Sequence, residues 1–306
     1  MGAETASPLS INYDSPRELR AFLDERGLGM RKKYGQNFLI NPSARAKLLA
    51  ALELKKGAEV WEIGPGLGAM TCGLLESGAN VTAFEIDPAF SRTLKEIFTT
   101  PETGFRSGSS FRLIEGDVLK TWPLATAGGS ELFLLGNLPY NIAATLLADF
   151  IEKGRFFTRM VVTVQREVAL RMAAKPGTAD YSSFSILCSS VYKVKPLQLI
   201  KSSSFYPPPR VDSQGVRLDL LDNRIALSEL FYPLVRSLFS GRRKTIRNTL
   251  SSFAASVIIK KEVSGKELAE EVFKASGING ERRPETLEID EFNAIAKKLE
   301  EILLNV

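Results

Sequence analysis

Histidine is absent from the 306-residue chain, and cysteine occurs only twice, as Cys72 and Cys188. The absence of histidine excludes a Ser-His-Asp triad, a papain-like Cys-His pair and any metal site with histidine ligands. Two cysteines so far apart in sequence cannot build a disulfide framework or a zinc cluster, which is typical of proteins from a reducing cytosol. The chemistry of this chain is therefore expected to need no metal.

Long apolar runs are missing too. The first 30 residues contain no apolar core of signal-peptide length, and no run approaches the length of a membrane span. These absences predict a soluble, cytoplasmic protein with no membrane partner. Neither sign of charge dominates, because 40 Lys and Arg residues stand against 35 Asp and Glu residues, for a net charge of +5. So mild a bias favours a nucleic-acid partner only where basic residues cluster.

Short apolar runs alternate with helical patterns through most of the chain. Five runs are predicted to be strands: 58–64, 80–87, 111–117, 131–137 and 159–165. Because they lack strict alternation of apolar and polar residues, they indicate strands covered on both faces, and hence a parallel sheet between helices. Two further extended segments, 195–200 and 215–220, are expected to add an antiparallel hairpin at the sheet edge.

After Leu221 the chain shows helical periodicity only. We therefore predict an α/β fold with a Rossmann-like sheet and a smaller all-α C-terminal domain. The predicted parts are an extension with a short helix (1–29), the Rossmann-like domain (30–221) and the helical domain (222–306). The sequence assigns no role to the extension.

A glycine-rich turn follows the first predicted strand. It reads EIGPGLG, and its glycines Gly64, Gly66 and Gly68 allow a tight turn and close approach of a nucleotide-like ligand to the backbone. The spacing is GxGxG, whereas dinucleotide sites have GxGxxG. Taken alone, the motif is explained equally well as an ordinary turn between a strand and a helix.

Acidic residues end the next two predicted strands. Glu85 lies 21 residues after Gly64, where a carboxylate can accept hydrogen bonds from both ribose hydroxyls, and Asp117 is placed to accept from an adenine amino group. Each residue could instead cap a helix or face solvent. Their occurrence at successive strand ends, where ligands of such sheets bind, favours an adenosine-bearing cofactor.

The fourth predicted strand ends in Asn137-Leu138-Pro139-Tyr140. The Asn137 side-chain oxygen and a backbone carbonyl before or at Pro139 can both accept from the exocyclic amine of a planar base. Pro139 keeps the turn rigid, and Tyr140 offers an aromatic face for stacking. A strand end capped by proline, with a core tyrosine, would explain the last two residues but not Asn137.

These motifs resemble an S-adenosylmethionine-dependent adenine-N6 methyltransferase. Three further segments, KKYGQNFLIN (32–41), SSFYPPPRVDS (203–213) and GRRKTIRNTL (241–250), narrow the resemblance to the bacterial 16S rRNA adenine dimethyltransferase family. The resemblance implies dimethylation of two adjacent adenosines in the 3′-terminal hairpin of 16S rRNA, within a small-subunit particle, by a monomeric enzyme linked to ribosome biogenesis. It implies direct methyl transfer without a covalent enzyme intermediate.

The resemblance also implies roles for individual residues. The implied cofactor residues are Asn37, Leu39, Gly64, Gly66, Glu85, Ile86, Asp117, Val118 and Asn137. The implied catalytic residues are Asn137, Leu138, Pro139, Tyr140 and Phe205, with Tyr140 and Phe205 on either side of the flipped adenine. Phe205 could instead be an apolar plug beside the proline-rich stretch.

Two basic clusters are candidates for RNA binding. One contains Arg31, Lys32 and Lys33, and the other contains Arg242, Arg243, Lys244 and Arg247 with no acidic residue adjacent in the sequence. Such clusters suit phosphate contacts, although most charge runs are solvated surface.

Three alternative functions remain open from the sequence. The nearest is the related family that methylates one adenosine in 23S rRNA and confers macrolide resistance. The second is a ribosome-assembly factor that acts mainly by binding, and the third, more distant, is a nicotinamide dehydrogenase.

Overall fold

The computed structural model describes residues 11–31, 34–99, 109–126, 131–241, 243–257 and 263–305. The chain forms two compact units. The first comprises Met1–Ala169 and Val194–Leu220, and the second comprises Leu170–Lys193 and Leu221–Val306.

The strands of the described residues are β1 (Phe38–Leu39), β2 (Glu59–Ile63), β3 (Asn80–Glu85), β4 (Phe111–Glu115), β5 (Leu132–Asn137), β6 (Arg159–Gln165), β7 (Tyr192–Ile200), β8 (Phe205–Tyr206) and β9 (Ser213–Leu220). Seven of them form one sheet in the order β4-β3-β2-β5-β6-β9-β7, and β1 pairs with β8. Strands β2 to β6 are parallel, and β9 runs antiparallel to β6. All five strands predicted from apolar runs are present, and the predicted α/β class is confirmed.

The helices of the described residues are α1 (Pro16–Glu25), α2 (Pro42–Ala51), α3 (Ala69–Glu76), α4 (Pro88–Phe98), α5 (Val118–Thr121), α6 (Ala143–Glu152), α7 (Arg166–Ala173), α8 (Ser183–Ser189), α9 (Phe231–Ser240), α10 (Ile246–Val257), α11 (Gly265–Ser276) and α12 (Ile289–Asn305). Among these, none combines the length and the apolar character that crossing a bilayer would require.

Three helices of the first unit begin in the same way. Ser15, Asn41 and Asp87 each accept a hydrogen bond from a backbone N–H of the first helical turn, and each is followed by proline. Proline suits that position because its missing N–H has no partner within a helix. The sequence thus determines the residues at which α1, α2 and α4 begin.

The central strands of the sheet are covered on both faces. On one face Trp61 is 1% exposed, and its ring lies 4.9 Å from that of Phe84 and 5.6 Å from that of Phe157. On the other face Val60 and Leu135 belong to a second buried cluster. Burial on both sides explains why these strands read as continuous apolar runs.

The register brings the carboxyl ends of the parallel strands to one edge. Ile63 at the end of β2 is paired with Phe84 on β3 and with Gly136 on β5. Strand β2 therefore lies between β3 and β5, where the chain order of the sheet reverses. Ligands of open α/β sheets bind at this edge and at this reversal.

The second unit is helical and has its own apolar core. The predicted boundaries place residues 170–193 in the Rossmann-like domain, whereas the structure groups them with the helices after Leu221. The reason is packing, because Tyr181 and Ile186 are buried in one cluster with Phe231. The Tyr181 hydroxyl also donates to the Leu287 carbonyl at 3.0 Å.

Candidate active site

A cavity opens at the carboxyl edge of the sheet in the first unit. Every residue of the predicted cofactor set lines it: Asn37, Leu39, Gly64, Gly66, Glu85, Ile86, Asp117, Val118 and Asn137. Leu138, Pro139 and Tyr140 line the same cavity. The fold thus brings the glycine-rich turn and the NLPY turn, which are far apart in sequence, to one space.

The glycine-rich turn leaves room for a ligand against its backbone. Gly64 has φ +66°, and a Cβ placed on it would meet no atom within 4 Å. Gly66 has φ +61°, and a Cβ there would lie 3.0 Å from the Phe38 ring. Both positions favour glycine for conformation, and the open space at Gly64 fits a cofactor that approaches the main chain.

Glu85 is held by backbone donors at the end of β3. Its Oε1 accepts from the Asp87 N–H at 2.8 Å, and its Oε2 accepts from the Gly66 N–H at 3.2 Å. Burial, with the side chain 4% exposed, raises the pKa of Glu85 to about 7. The two backbone donors therefore hold the carboxyl group in one orientation.

Glu62, two residues before Gly64, is a second buried carboxyl; it does not line the cavity, and it is not among the residues predicted from the sequence. The Thr71 hydroxyl donates to its Oε2 at 2.6 Å, while its Oε1 is buried without a hydrogen-bond partner in the described residues. Burial raises the pKa of Glu62 to about 7. Glu62 therefore links β2 to α3 through the Thr71 hydroxyl, next to the glycine-rich turn.

Asp117 caps a helix, as the alternative interpretation of the sequence predicts. Its Oδ1 accepts from the Leu119 N–H at 3.1 Å, at the start of α5. The cap and the cavity are compatible, because this bond uses one carboxylate oxygen and Asp117 still lines the cavity. Ile86, one of the few large apolar side chains with substantial exposure, and Val118 provide apolar surface at the same end.

The Asn137 side chain has a fixed orientation. Its Nδ2 donates to the Asn37 carbonyl at 2.8 Å, a bond between residues 100 positions apart. With the amide nitrogen engaged there, the amide oxygen is the atom left to accept from a ligand. The QNFL segment and the NLPY turn therefore meet at one hydrogen bond.

The backbone of the NLPY turn provides one further acceptor. The Pro139 carbonyl is already engaged, because it accepts from the N–H groups of Ile142 and Ala143, both at 3.1 Å. The Leu138 N–H donates to the Thr163 carbonyl at 3.1 Å, which ties the turn to β6. Of the two carbonyls that the sequence left open, the Leu138 carbonyl is the better candidate to accept from an amine.

Tyr140 is held by Ser213, the last residue of the SSFYPPPRVDS segment. The Tyr140 hydroxyl lies 2.6 Å from the Ser213 Oγ, where β9 begins, and Ser213 is fully buried. Burial raises the pKa of Tyr140, so the phenol stays protonated and the bond persists at neutral pH. Ser213 lies within the SSFYPPPRVDS segment, but no sequence pattern could show that it reaches Tyr140.

Phe205 is not among the residues that line the cavity. It is 2% exposed, pairs with Leu39 between β8 and β1, and belongs to an apolar cluster of the core. This placement corresponds to the apolar plug that was the alternative interpretation. The structure therefore gives no support to Phe205 as a stacking partner for a base.

The basic residues of the two clusters differ in whether acidic side chains pair with them. Arg31 lies 3.9 Å from the Asp87 carboxylate, and Lys32, Lys33 and Arg242 fall outside the described residues. Arg243 and Lys244 are exposed before α10. Arg247, by contrast, forms ion pairs with Glu270 and Glu281, so acids that are distant in sequence neutralise it.

No group of three or more His, Cys, Asp or Glu side chains that could hold a metal ion occurs in the part of the chain that the structure describes.

Comparisons with known proteins agree with the motifs. A family model described as ribosomal RNA adenine dimethylase matches residues 27–300. A protein of Treponema denticola named ribosomal RNA small subunit methyltransferase A is 44% identical over 287 residues, 92% of this chain and 93% of that protein.

Two solved structures have a similar fold. A dimethyladenosine transferase from Plasmodium falciparum has a TM-score of 0.69 at 24% identity, covering 85% of this chain and 96% of that one. The 23S rRNA methyltransferase ErmE has a TM-score of 0.59 at 20% identity, covering 86% and 99%. At these identities the likeness concerns the fold alone.

Proposed function

Because the chain belongs to the ribosomal RNA adenine dimethylase family, we propose that it dimethylates adenine N6 on two adjacent adenosines of the 3′-terminal hairpin of 16S rRNA. The observation that carries the proposal is the single cavity shared by the glycine-rich turn and the NLPY turn. The substrate is the RNA of a small-subunit particle in the cytoplasm, and the enzyme acts as a monomer during ribosome biogenesis.

S-adenosylmethionine is the proposed methyl donor, and the residues present fit it. The open backbone at Gly64, the buried Glu85 carboxyl and the Asp117 side chain offer the acceptors and the space that an adenosine with a charged tail needs. When bound, the cofactor supplies an activated methyl group. The remaining chemistry belongs to the protein.

The protein's main task is to hold the target amine. An aromatic amine is a poor nucleophile because its lone pair is delocalised into the ring. In the first transfer the Asn137 amide oxygen and the Leu138 carbonyl accept from its two N–H bonds and favour a pyramidal nitrogen with an available lone pair. In the second transfer the methylated amine has one N–H left, and one of the two acceptors holds it. Such positioning and preorganised electrostatics account for large rate enhancements without a strong base. The proton leaves to solvent once the amine has become cationic.

Tyr140 holds the ring of the target base. Its hydroxyl is fixed by Ser213, so the aromatic face has a defined orientation before the base arrives. Stacking on an aromatic side chain contributes about 1–3 kcal/mol for a base outside its helix. A flipped adenine is therefore held by its edge and by its face.

The 23S rRNA methyltransferase alternative has less support. The small-subunit name of the Treponema relative comes with 44% identity, whereas the likeness to ErmE is one of fold at 20% identity. Mass spectrometry of both rRNAs from a strain that lacks the protein separates the two. We expect loss of the 16S dimethyladenosines, and loss of a 23S mark with intact 16S marks would contradict the proposal.

The direct test of the site is Asn137→Ala. We expect the rate of dimethylation of undermethylated small-subunit particles to fall by about 10²-fold or more, because the variant loses an acceptor positioned for the reacting amine. Asn141→Ala, the same change at an exposed neighbour, serves as the matched control. Dimethylation near the wild-type rate in Asn137→Ala would show that the assigned role is wrong.

The same variant tests the binding-factor alternative. If Asn137→Ala abolishes dimethylation but fully restores growth and the subunit profile of a deletion strain, binding rather than catalysis is the primary role.

A further inference from the structure

Residues 11–29, which precede the QNFL motif and are called the leading segment from here on, pack against the glycine-rich turn. The α1 helix buries Leu19 and Leu23 in one cluster with Leu67 of the turn and Phe90 of α4. Leu19 is fully buried, and it also lines the cavity. An amphipathic helix thus provides part of the support for the turn.

Tyr13 makes a direct hydrogen bond to the turn. Its hydroxyl donates to the Leu67 carbonyl at 2.8 Å, across 54 positions of sequence. The hydrogen-bond ladder of α3 starts one residue later, since the Cys72 N–H donates to the Gly68 carbonyl. The Leu67 carbonyl therefore belongs to the turn, and Tyr13 supplies a partner for it. Burial raises the pKa of the Tyr13 phenol, which keeps it a donor at physiological pH.

The residue after Tyr13 makes a second attachment. Asp14 forms an ion pair with Arg45 of α2, and Arg45 also donates to the Leu39 carbonyl at 2.7 Å. Tyr13, Arg45 and Leu39 all line the cavity. The leading segment is therefore joined to both the glycine-rich turn and the QNFL segment.

We propose that the leading segment is a structural wall of the S-adenosylmethionine pocket and that Tyr13 is a positioning residue for the glycine-rich turn. This inference deepens the proposed function and rests on it. With the Leu67 carbonyl held, the turn keeps the shape in which the backbone at Gly64 and Gly66 is open to the cofactor. Without that bond, part of the binding free energy goes into ordering the turn.

The test is calorimetric titration of the full-length chain with S-adenosylmethionine. Tyr13→Phe keeps the ring and its packing and removes only the hydroxyl. We expect Kd to rise about 3- to 10-fold, the usual effect of losing one neutral hydrogen bond. In turnover assays KM for S-adenosylmethionine should rise by the same factor, whereas kcat and KM for the RNA particle should stay within about twofold of wild type.

Two further variants separate positioning from general stability. Asp14→Asn breaks the ion pair with Arg45, and we expect a smaller rise in Kd, about two- to threefold, that shrinks at high salt. Arg20→Gln breaks the exposed Arg20–Asp24 pair of the same helix and is expected to leave Kd unchanged. Melting temperatures of the ligand-free variants show whether each one is folded.

The outcomes are distinct. A Kd within about twofold of wild type in a folded Tyr13→Phe protein overturns the inference. An equal weakening in Arg20→Gln also overturns it, because the effect would then be one of general stability. A wild-type protein that bound no S-adenosylmethionine would instead refute the proposed function, and the inference with it.

Discussion

The proposed stacking role of Tyr140 depends on one hydrogen bond. Tyr140 contacts Ser213 at 2.6 Å, and Ser213 is fully buried at the start of β9. We expect Ser213→Ala to lower kcat/KM for the RNA particle about 3- to 10-fold, because one neutral hydrogen bond contributes about 0.5–1.5 kcal/mol. The affinity for S-adenosylmethionine, measured by calorimetry, should not change.

A matched control exists in the second unit. The Ser190 hydroxyl lies 3.3 Å from the Tyr232 hydroxyl, so Ser190→Ala removes the same kind of pair at a place that does not line the cavity. If Ser190→Ala and Ser213→Ala impaired turnover equally, the loss would reflect stability rather than the orientation of Tyr140.

Among individual residues, the sequence indicates many of those that line the cavity, though not Tyr13 or Arg45 and wrongly Phe205, but it does not indicate how they are held. Glycines, strand-end acids and NLPY are recognisable because each chemical task requires particular residue types at short spacing. The bonds from Tyr13 to Leu67 and from Tyr140 to Ser213 span 54 and 73 positions. Nothing local marks those partners, because a serine or tyrosine has the same sequence context whether or not the fold brings it to the site.

At the scale of elements, the stretch that contains strand β2, the glycine-rich turn and helix α3 includes a group whose titration affects stability. Glu62 on β2 is fully buried, and burial raises its pKa to about 7, with the Thr71 hydroxyl on α3 opposing the shift. A carboxyl with a raised pKa holds its proton more tightly in the folded state. Its stabilising contribution is complete below the unfolded value, 4.5, and is lost as the pH rises through about 7.

We therefore expect Glu62→Gln to flatten the pH dependence of stability. Between about pH 5.5 and pH 8.5 the ligand-free wild type should lose about 1–2 kcal/mol through Glu62, which is a few degrees in melting temperature. Glu62→Gln should lose correspondingly less. Thr71→Val is the counterpart, because removing the donor raises the pKa of Glu62 further and steepens the fall. A wild-type pH profile in Glu62→Gln would exclude Glu62 as the source.

At the scale of elements, periodicity predicts strands and helices well and the boundaries of packing units less well. The strands around Trp61 and Leu134 are recognisable because central parallel strands are apolar on both faces. Residues 170–193 look in sequence like a continuation of the α/β pattern, yet Tyr181 and Ile186 pack with the C-terminal helices. The choice of core depends on tertiary contacts, which helical periodicity alone does not encode.

The charge of the whole molecule is nearly balanced, so its electrostatic attraction to RNA depends on where unpaired cations lie. Arg243 and Lys244 are exposed ahead of α10, whereas Arg247 is paired with Glu270 and Glu281. In the sequence, Arg243, Lys244 and Arg247 belong to one basic run, and nothing distinguishes them. The fold divides them into residues available to phosphates and a residue whose charge is already compensated.

This division predicts different salt dependences of binding to undermethylated small-subunit particles. For Arg243→Gln and for Lys244→Gln, the slope of log K against log salt should become shallower by about 0.7–0.9 for each phosphate that the variant no longer neutralises. Arg247→Gln should leave the slope unchanged, because its charge is already paired with Glu270 and Glu281. The prediction would be wrong if Arg247→Gln made the slope shallower while Arg243→Gln and Lys244→Gln did not. That result would mean that Glu270 and Glu281 release the Arg247 guanidinium when RNA binds and that a phosphate takes their place.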